Sequence, residues 1–358
     1  TSVRTVVLFS FSLKKRSRQP AKASKNSLTY PRLTLTPFVR AFLKQVQNTV
    51  SQYQLWSKKE SFIVAVSGGP DSLCLLDVLF LLSQKYDFVL HVAHVNYRLR
   101  GTDSDLEEAL VRERTQAYGL SLSVLRPKQP TTGNLEEKLR TIRYDFFDKL
   151  RLKHGASLIA LAHHEDDQAE TFLLRLLRGS GMTGLSSMSP KAQYLVRPFL
   201  KSSRQDILRY LTERQLSYRE DKSNSDLRFL RNRIRKELLP LLEQHYQPQI
   251  KRILADTAAL LALDYQYFDT VFSLPHTQIG TDLLFSVQTL SRYEVTPLQH
   301  QLRLLLASRA GKRVPTKGNI DEFLKLLKST KNKHQRLSFD GLNIERKGDT
   351  VRLLDFYL

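Results

Sequence analysis

Between a short apolar run at residues 62–66 and a strongly apolar stretch at 73–82 stands the hexapeptide Ser67-Gly68-Gly69-Pro70-Asp71-Ser72. The placement predicts a buried strand, a tight turn and a helix beginning at Pro70, where a missing N–H costs nothing. Two glycines let backbone amides approach an anion closely. The helix start adds unpaired N–H groups and partial positive charge, and Ser67 and Ser72 add hydroxyls. A phosphate-binding turn is the physical reading. Asp71 would repel a phosphate unless a cation lay between them, so Mg²⁺ is inferred. The same residues would also suit an ordinary capped turn, but the position after a buried strand favours phosphate. Other phosphate signatures fail. Gly311-Lys312 is followed by Arg313 and has Leu306 where a Walker loop needs glycine. Gly179, Gly181 and Gly184 spell GxGxxG but follow a helix pattern, so they read as a flexible loop.

A βα rhythm continues from there. Residues 88–95, 120–125, 158–162 and 194–199 read as further strands, and 104–118, 134–153, 166–178 and 204–215 as helices. This alternation predicts an α/β fold, a parallel sheet with helices on both faces. Ligands then belong at the carboxyl ends of the strands, where the hexapeptide, the segment from His94 to Gly101 and His163-His164-Glu165-Asp166-Asp167 all fall. Beyond residue 228 the pattern becomes mainly helical: 229–246, interrupted near Pro240, then 250–272, 297–310 and 320–328. Residues 338–344 and 350–354 read as two strands about Gly348. Three regions result: a basic extension at 1–36, taken to lie outside the fold, an α/β catalytic domain at 37–228, and a mainly helical region at 229–358.

Charge narrows the partner. The chain has 56 Lys and Arg against 35 Asp and Glu, a net +21, which points to a polyanion and to nucleic acid before an anionic membrane. No apolar run reaches the ~18 residues of a membrane-crossing helix, so no membrane partner is expected. The single cysteine, Cys74, permits neither an internal disulfide nor a CxxC site and reads as an inert buried thiol. The first acidic residue is Glu60. The basic, hydroxyl-rich segment before it is similar to an organelle transit peptide, and also suits an RNA-contacting arm or an upstream extension. A secretory signal fits poorly, because the basic cluster follows the apolar stretch.

Other groups carry paired readings. Glu136, Arg140 and Arg143 recur at helical spacing, as an ion-paired surface or as one face at the sheet edge. His164-Glu165 is followed by Gln168 where a zinc protease needs His. Asp166, Asp167 and Glu170 could hold Mg²⁺ or an ammonium, or simply favour a helix start, and His163 or His164 could take a proton. The stretches Arg228 to Lys236 and Lys325 to Arg336 are solvated faces or contacts to an RNA backbone; with net +21 the second reading is preferred.

Further segments follow the hexapeptide in order: His94-Val95-Asn96-Tyr97-Arg98-Leu99-Arg100; Gly133-Asn134-Leu135-Glu136 with Arg140 and Arg143-Tyr144; Ala162 through Thr171 into Leu173-Leu174-Arg175; and Arg197-Pro198, Asp221, Asn224, Asp226 and Phe229 through Arg235. Over residues 60–246 the series resembles the tRNA(Ile)-lysidine synthetases, a family of PP-loop, N-type ATP pyrophosphatases. Tyr97 stands where that family often has His, and Leu139 where a small residue is usual. The C-terminal region is expected to be shorter than in the longer members.

The resemblance implies ATP and Mg²⁺ as cofactors, and L-lysine and tRNA(Ile) with a CAU anticodon as partners. It implies lysidine as product, formed through an adenylated tRNA with release of AMP and pyrophosphate. ATP would be held by Ser67, Gly68, Gly69, Pro70, Asp71, Ser72, Asn96 and Arg143, and the metal by Asp71 and Asp167. Asp71, Glu136, Arg140, His163, His164, Asp166, Asp167 and Glu170 would serve the chemistry. Arg197, Arg231, Asn232, Arg233, Arg235 and Lys236 would contact the tRNA. A cytoplasmic location is expected, or a plastid stroma if the N-terminus is a transit peptide, and the family leaves room for a homodimer. The rival readings are a PP-loop tRNA thiolase, which would need more thiols than Cys74, an amidating PP-loop enzyme for small molecules, which would not need so basic a chain, and a non-catalytic RNA-binding module.

Overall fold

The computed structural model describes residues 35–99, 101–128, 135–219, 227, 229–271, 274–309, 316–330, 333–339 and 342–354. The first described element is a helix, α1 (Pro37–Gln52), that the sequence reading did not assign. Its start is nevertheless encoded: Thr36 Oγ1 accepts from Val39 N at 3.1 Å, and Pro37 opens the first turn. Val39, Phe42, Val46 and Thr49 form its buried face.

The expected strand, turn and helix follow as β1 (Ser61–Ala65) and α2 (Pro70–Tyr86). Then come β2 (Val89–Val95), α3 (Thr102–Ala117), β3 (Ser121–Leu125), α4 (Leu135–His154), β4 (Leu158–Ala160) and α5 (Glu165–Leu177). The glycine-bearing loop after α5 holds a single helical turn, α6 (Met182–Leu185). A two-residue hairpin, β5 (Lys191–Ala192) with β6 (Leu195–Val196), and α7 (Arg204–Glu213) complete the unit. The sheet order is β3-β2-β1-β4-β6-β5, parallel except at the β5–β6 edge. Alternate residues of β1 serve opposite layers. Phe62 and Val64 join the core with α1, α2 and α7, whereas Ile63 packs with Ala93, Phe147 and Ile159 beneath α4. Each fully buried Leu, Ile or Phe there contributes about 1.5–3 kcal/mol. The strand order reverses between β1 and β4, and the two loops leaving those strands meet at that switch point.

The C-terminal region begins with α8 (Leu230–Arg233), a π-helical turn at Ile234–Leu238, α9 (Leu239–His245) and α10 (Ile250–Val271). The interruption expected near Pro240 lies just upstream of it. Proline cannot donate to the preceding turn, and Leu239 N bonds Ile234 O in the wider π spacing. Beyond lie β7 (Thr277–Ile279), β8 (Asp282–Ser286), α11 (Val287–Leu290), α12 (Val295–Arg309), α13 (Lys317–Lys328), β9 (Gln335–Phe339), β10 (Leu342–Lys347) and β11 (Thr350–Leu354). The helices match expectation, but the two expected strands are part of a five-stranded antiparallel sheet, β7-β8-β11-β10-β9. The run read as one strand at 338–344 straddles the β9–β10 connection. Phe285, Leu302, Phe323, Ile344 and Val351 form a core between this sheet and α12 and α13. Among the described residues no helix is long and apolar enough to cross a membrane.

Candidate active site

The glycine turn is braced from within. Ser72, buried on the first turn of α2, accepts from Ser67 N and donates to Gly69 O, both at 3.0 Å. Ser67 Oγ lies 3.0 Å from Ser72 Oγ and accepts from Gly69 N at 3.3 Å. Ser72, expected to meet phosphate, is thus occupied in shaping the turn, while Ser67 is exposed. Gly68 has φ +96°, and a Cβ there would meet Glu107 Cβ and O at 3.3 Å, so both conformation and space call for glycine. Arg219 N donates to Gly68 O at 3.2 Å and closes the turn from outside.

Asp71 stands in the first turn of α2. Its Oδ2 accepts from Arg204 Nη1 at 3.2 Å, whereas its buried Oδ1 has no hydrogen-bond partner. Across the switch point, His164 caps α5 and is 1% exposed. Its Nε2 lies 3.7 Å from Asp71 Oδ1 and 3.4 Å from Asp167 Oδ2, and its Nδ1 lies 3.8 Å from Asp166 Oδ1. One imidazole therefore touches three carboxylates. Burial pushes the Asp71 carboxyl above its ordinary range, partly offset by His164 and Arg204. Burial works the same way on Asp167, but the neighbouring His164, His163, Arg231 and Arg235 outweigh it and hold that carboxyl well below the usual range. His163, one residue away, is pushed down to about 3 by burial, with Arg197, Arg231 and Arg143 acting in the same direction. A value that low makes the His163 imidazole a weak base.

Several expected site residues are placed differently. Arg231 and Arg235, expected on the tRNA backbone, are spent on α5. Arg231 reaches Asp167 and Glu170 at 3.0 Å each; Arg235 reaches Asp167 at 3.3 Å and also bonds Glu170. Glu170 is thereby a buried anchor for the C-terminal region. Arg233 and Lys236 are exposed and Asn232 half-buried. Arg197 is buried, 7% exposed, with Nη1 on Ser189 O at 2.7 Å. Both Asp166 oxygens are committed, Oδ1 to Arg204 N at 2.9 Å and Oδ2 to Lys251 Nζ at 3.2 Å. Asn96 is held by neighbouring side chains. It is 2% exposed, donates to Asp105 and Glu108 at 3.0 Å each, and accepts from Arg98 N at 2.9 Å. Arg140 and Arg143 lie over the Tyr144 ring, 4.8 and 5.7 Å from its centroid. The side chain of Glu136 lies outside the described residues, as does Arg228. Lys325, Lys328 and Arg336 belong to the C-terminal helix–sheet unit, where Lys325 pairs with Glu322 and Arg336 with Glu345. The two departures from the family pattern touch each other: Tyr97 Oη donates to Leu139 O at 2.9 Å.

Sequence reasoning missed Arg204, Lys251 and Glu108. Arg204 reads only as a residue after a Ser203 cap, and its partner Asp71 lies 133 residues away. A polar cleft of about 830 Å³ opens beside Asp166, lined by Glu165, Lys201, Arg204, Asp206, Lys251 and Asp256 among others. Burial and the neighbouring Asp166, Asp256 and Asp206 raise the Glu165 carboxyl.

Among the described residues no three His, Cys, Asp or Glu side chains converge as a complete metal site. Mg²⁺ characteristically takes only one or two protein carboxylates and completes its shell with water and phosphate oxygens. The unpartnered Asp71 Oδ1, opposed to Asp167 across His164, fits that sparse donor set.

Residues 38–242 match the family model described as the PP-loop domain. The chain is 45% identical over 240 residues to the tRNA(Ile)-lysidine synthase of Geobacter sulfurreducens, covering 64% of this chain and 50% of that protein. It is 36% identical over 238 residues to that of Bacillus subtilis, with 64% and 50% covered. For Chlorobaculum tepidum the figures are 33% over 219 residues, with 59% and 66% covered. The chain spans about half the length of most of the curated relatives it matches. In fold it is similar to a U34-tRNA thiolase from Methanococcus maripaludis, with TM-score 0.54 and 16% identity, covering 63% of this chain and 79% of that one.

Proposed function

Matched over more than half its length, this chain belongs to the PP-loop domain family, and we propose that it ligates L-lysine to C2 of the wobble cytidine of a CAU-anticodon tRNA(Ile) at the expense of ATP. The carrying observation is the buried, unpartnered Asp71 Oδ1 at the start of α2, set against His164 and Asp167 at the switch point. The named relatives, the basic chain and the glycine turn all support the same reading.

In this reading the turn and the helix start hold the ATP phosphates through backbone N–H groups. The cytosine O2 attacks the α-phosphorus, the bond to the β-phosphate oxygen breaks, and pyrophosphate leaves. The ε-amine of lysine then attacks C2, the C2–O bond breaks, AMP leaves and the amine gives up a proton. His164, ringed by three carboxylates, is the imidazole placed to receive it. Asp71 and Asp167 would hold Mg²⁺, which supplies charge neutralisation on the leaving phosphates. With bacterial relatives, a cytoplasmic setting is part of the proposal, and the oligomeric state is left to sedimentation.

The test is transfer of radiolabelled lysine to an unmodified CAU-anticodon tRNA(Ile) transcript. Label that requires ATP and is lost with Asp71→Ala supports the ligase. AMP formed without lysine transfer would move the second substrate elsewhere, and no AMP at all would favour a binding module.

A further inference from the structure

Four guanidinium groups gather beyond the end of β4. Arg140 and Arg143 lie 4.8 and 5.7 Å from the Tyr144 ring centroid. Arg175, in the last turn of α5, donates from Nη1 to Gly184 O at 2.7 Å and Ser187 O at 3.1 Å. Arg197 follows β6, which runs parallel to β4 with Leu161 N on Val196 O at 2.9 Å, so His163 and Arg197 lie just past the ends of neighbouring strands.

Their surroundings differ from those of the other arginines of this domain and its helical neighbour. Arg204, Arg214, Arg231 and Arg235 each meet a carboxylate. Among the described residues Arg140, Arg143, Arg175 and Arg197 meet no carboxylate; their partners are the Tyr144 ring, the Tyr144 hydroxyl beside Arg197, and carbonyl oxygens. Three buried polar atoms here also lack a hydrogen-bond partner: Arg197 Nε, Tyr144 Oη and His163 Nδ1. Arg197 is 7% exposed, so its Nε cannot be left to water. Burial lowers the proton affinity of Arg175 and Arg197; the Tyr144 hydroxyl opposes this at Arg197, and the nearby Arg140 adds to it at both. An unpaired buried charge is costly, and an arriving anion would relieve that cost.

We propose that Arg140, Arg143, Arg175 and Arg197, with Tyr144 Oη, form a second oxyanion subsite, separate from the glycine turn, that holds a backbone phosphate of the RNA substrate beside the reacting base. This rests on the reading that the substrate is RNA. The ATP phosphates have their own cradle at the start of α2. The four guanidiniums are graded from exposed (Arg140) through half-buried (Arg143, Arg175) to buried (Arg197), as a strand following a base into the sheet edge would require. Guanidinium forks match the paired oxygens of a phosphodiester.

The experiment measures binding of the full chain to a CAU anticodon stem-loop RNA across a salt series, with ATP affinity in parallel. Arg175→Gln and Arg143→Gln should each weaken RNA binding about tenfold and reduce the salt slope by about one. ATP affinity should stay within about twofold in Arg175→Gln, because the glycine turn lies outside the subsite. Arg175→Lys, which keeps the charge, should keep the slope, and so separates lost charge from a disturbed α5–α6 loop. A single neutral methylphosphonate linkage beside the wobble nucleotide should cost the wild type the same factor and cost Arg175→Gln nothing further. Unchanged RNA affinity and slope in both Gln variants would overturn the proposal. So would a fall in ATP or pyrophosphate affinity in place of RNA affinity, which would assign the subsite to the nucleotide. RNA binding that responds as expected without any lysine transfer would sink the ligase reading and leave the subsite standing.

Discussion

Helix α2 carries two carboxylates six residues apart, and they are treated in opposite ways. Asp77 is fully buried, and both its oxygens are satisfied. Tyr118 Oη and Tyr210 Oη donate at 2.5 and 2.6 Å, and Arg214 adds Nε at 2.8 Å and Nη2 at 2.9 Å. Asp71 has one 3.2 Å contact with Arg204, and its other oxygen, though buried, has no hydrogen bond and only His164 Nε2 at 3.7 Å beside it. A saturated buried carboxylate locks α2, α3 and α7 together. An unsaturated one costs free energy that folding alone does not recover, and is retained where a ligand completes it. The contrast separates a residue that holds the domain from one whose unsatisfied oxygen suits the ligand role proposed for it.

The largest expected effect comes from Asp71. Asp71→Ala should slow ATP-dependent AMP formation about ten thousandfold, about 5 kcal/mol in the barrier. Its urea midpoint should not fall. Asp77→Ala should do the reverse. It leaves the Arg214 guanidinium, 7% exposed, without its partner, and should lower unfolding free energy by about 3–5 kcal/mol. AMP formation per folded molecule should be kept. If both variants lost activity and stability together, the division would be wrong.

Glu108 sharpens the comparison through pH. Burial would raise its carboxyl, but Asn96, Arg126 and Arg112 together lower it from 4.5 to about 2. A folded-state value below the unfolded one means stability that is present above pH 4.5 and drains away as pH falls towards 2. Wild type should therefore exceed Glu108→Gln by about 3 kcal/mol at pH 7. The gap should narrow steadily in urea titrations below pH 4.5. The smallest effect is expected from Gly68→Ala, with about 1–2 kcal/mol of backbone strain from its left-handed conformation. A raised KM for ATP with little change in melting temperature would place that strain in the turn.

The sequence made the first carboxylate legible and hid the second. Asp71 stands in a six-residue string whose neighbours and position all point to phosphate. Asp77 is a lone acid in an apolar helix, and its partners Tyr210 and Arg214 are 133 and 137 residues away. The same rule runs through the molecule. The βα alternation, the glycine turn and the acidic start of α5 are local patterns and were readable. The pairing of Arg231 and Arg235 with Glu170, of Arg204 with Asp71 and of Asn96 with Glu108 depends on tertiary contact, which no spacing encodes. Those pairings give Arg231, Arg235 and Asn96 partners within the protein. In the C-terminal region the helices carried their period, while strands of three to six residues gave too little alternation to separate β9 from β10 or to reveal β7 and β8.

The measurement that tests the central claim most directly is trapping of the intermediate. The chain is incubated with α-³²P-labelled ATP and unmodified CAU-anticodon tRNA(Ile) in the absence of lysine, and label on the RNA is read. The account expects labelled RNA that is chased to free AMP by lysine, that persists with Asp77→Ala in proportion to folded protein, and that is absent with Asp71→Ala. Label on the RNA undiminished in Asp71→Ala, or ATP consumed with the RNA never labelled, would contradict it.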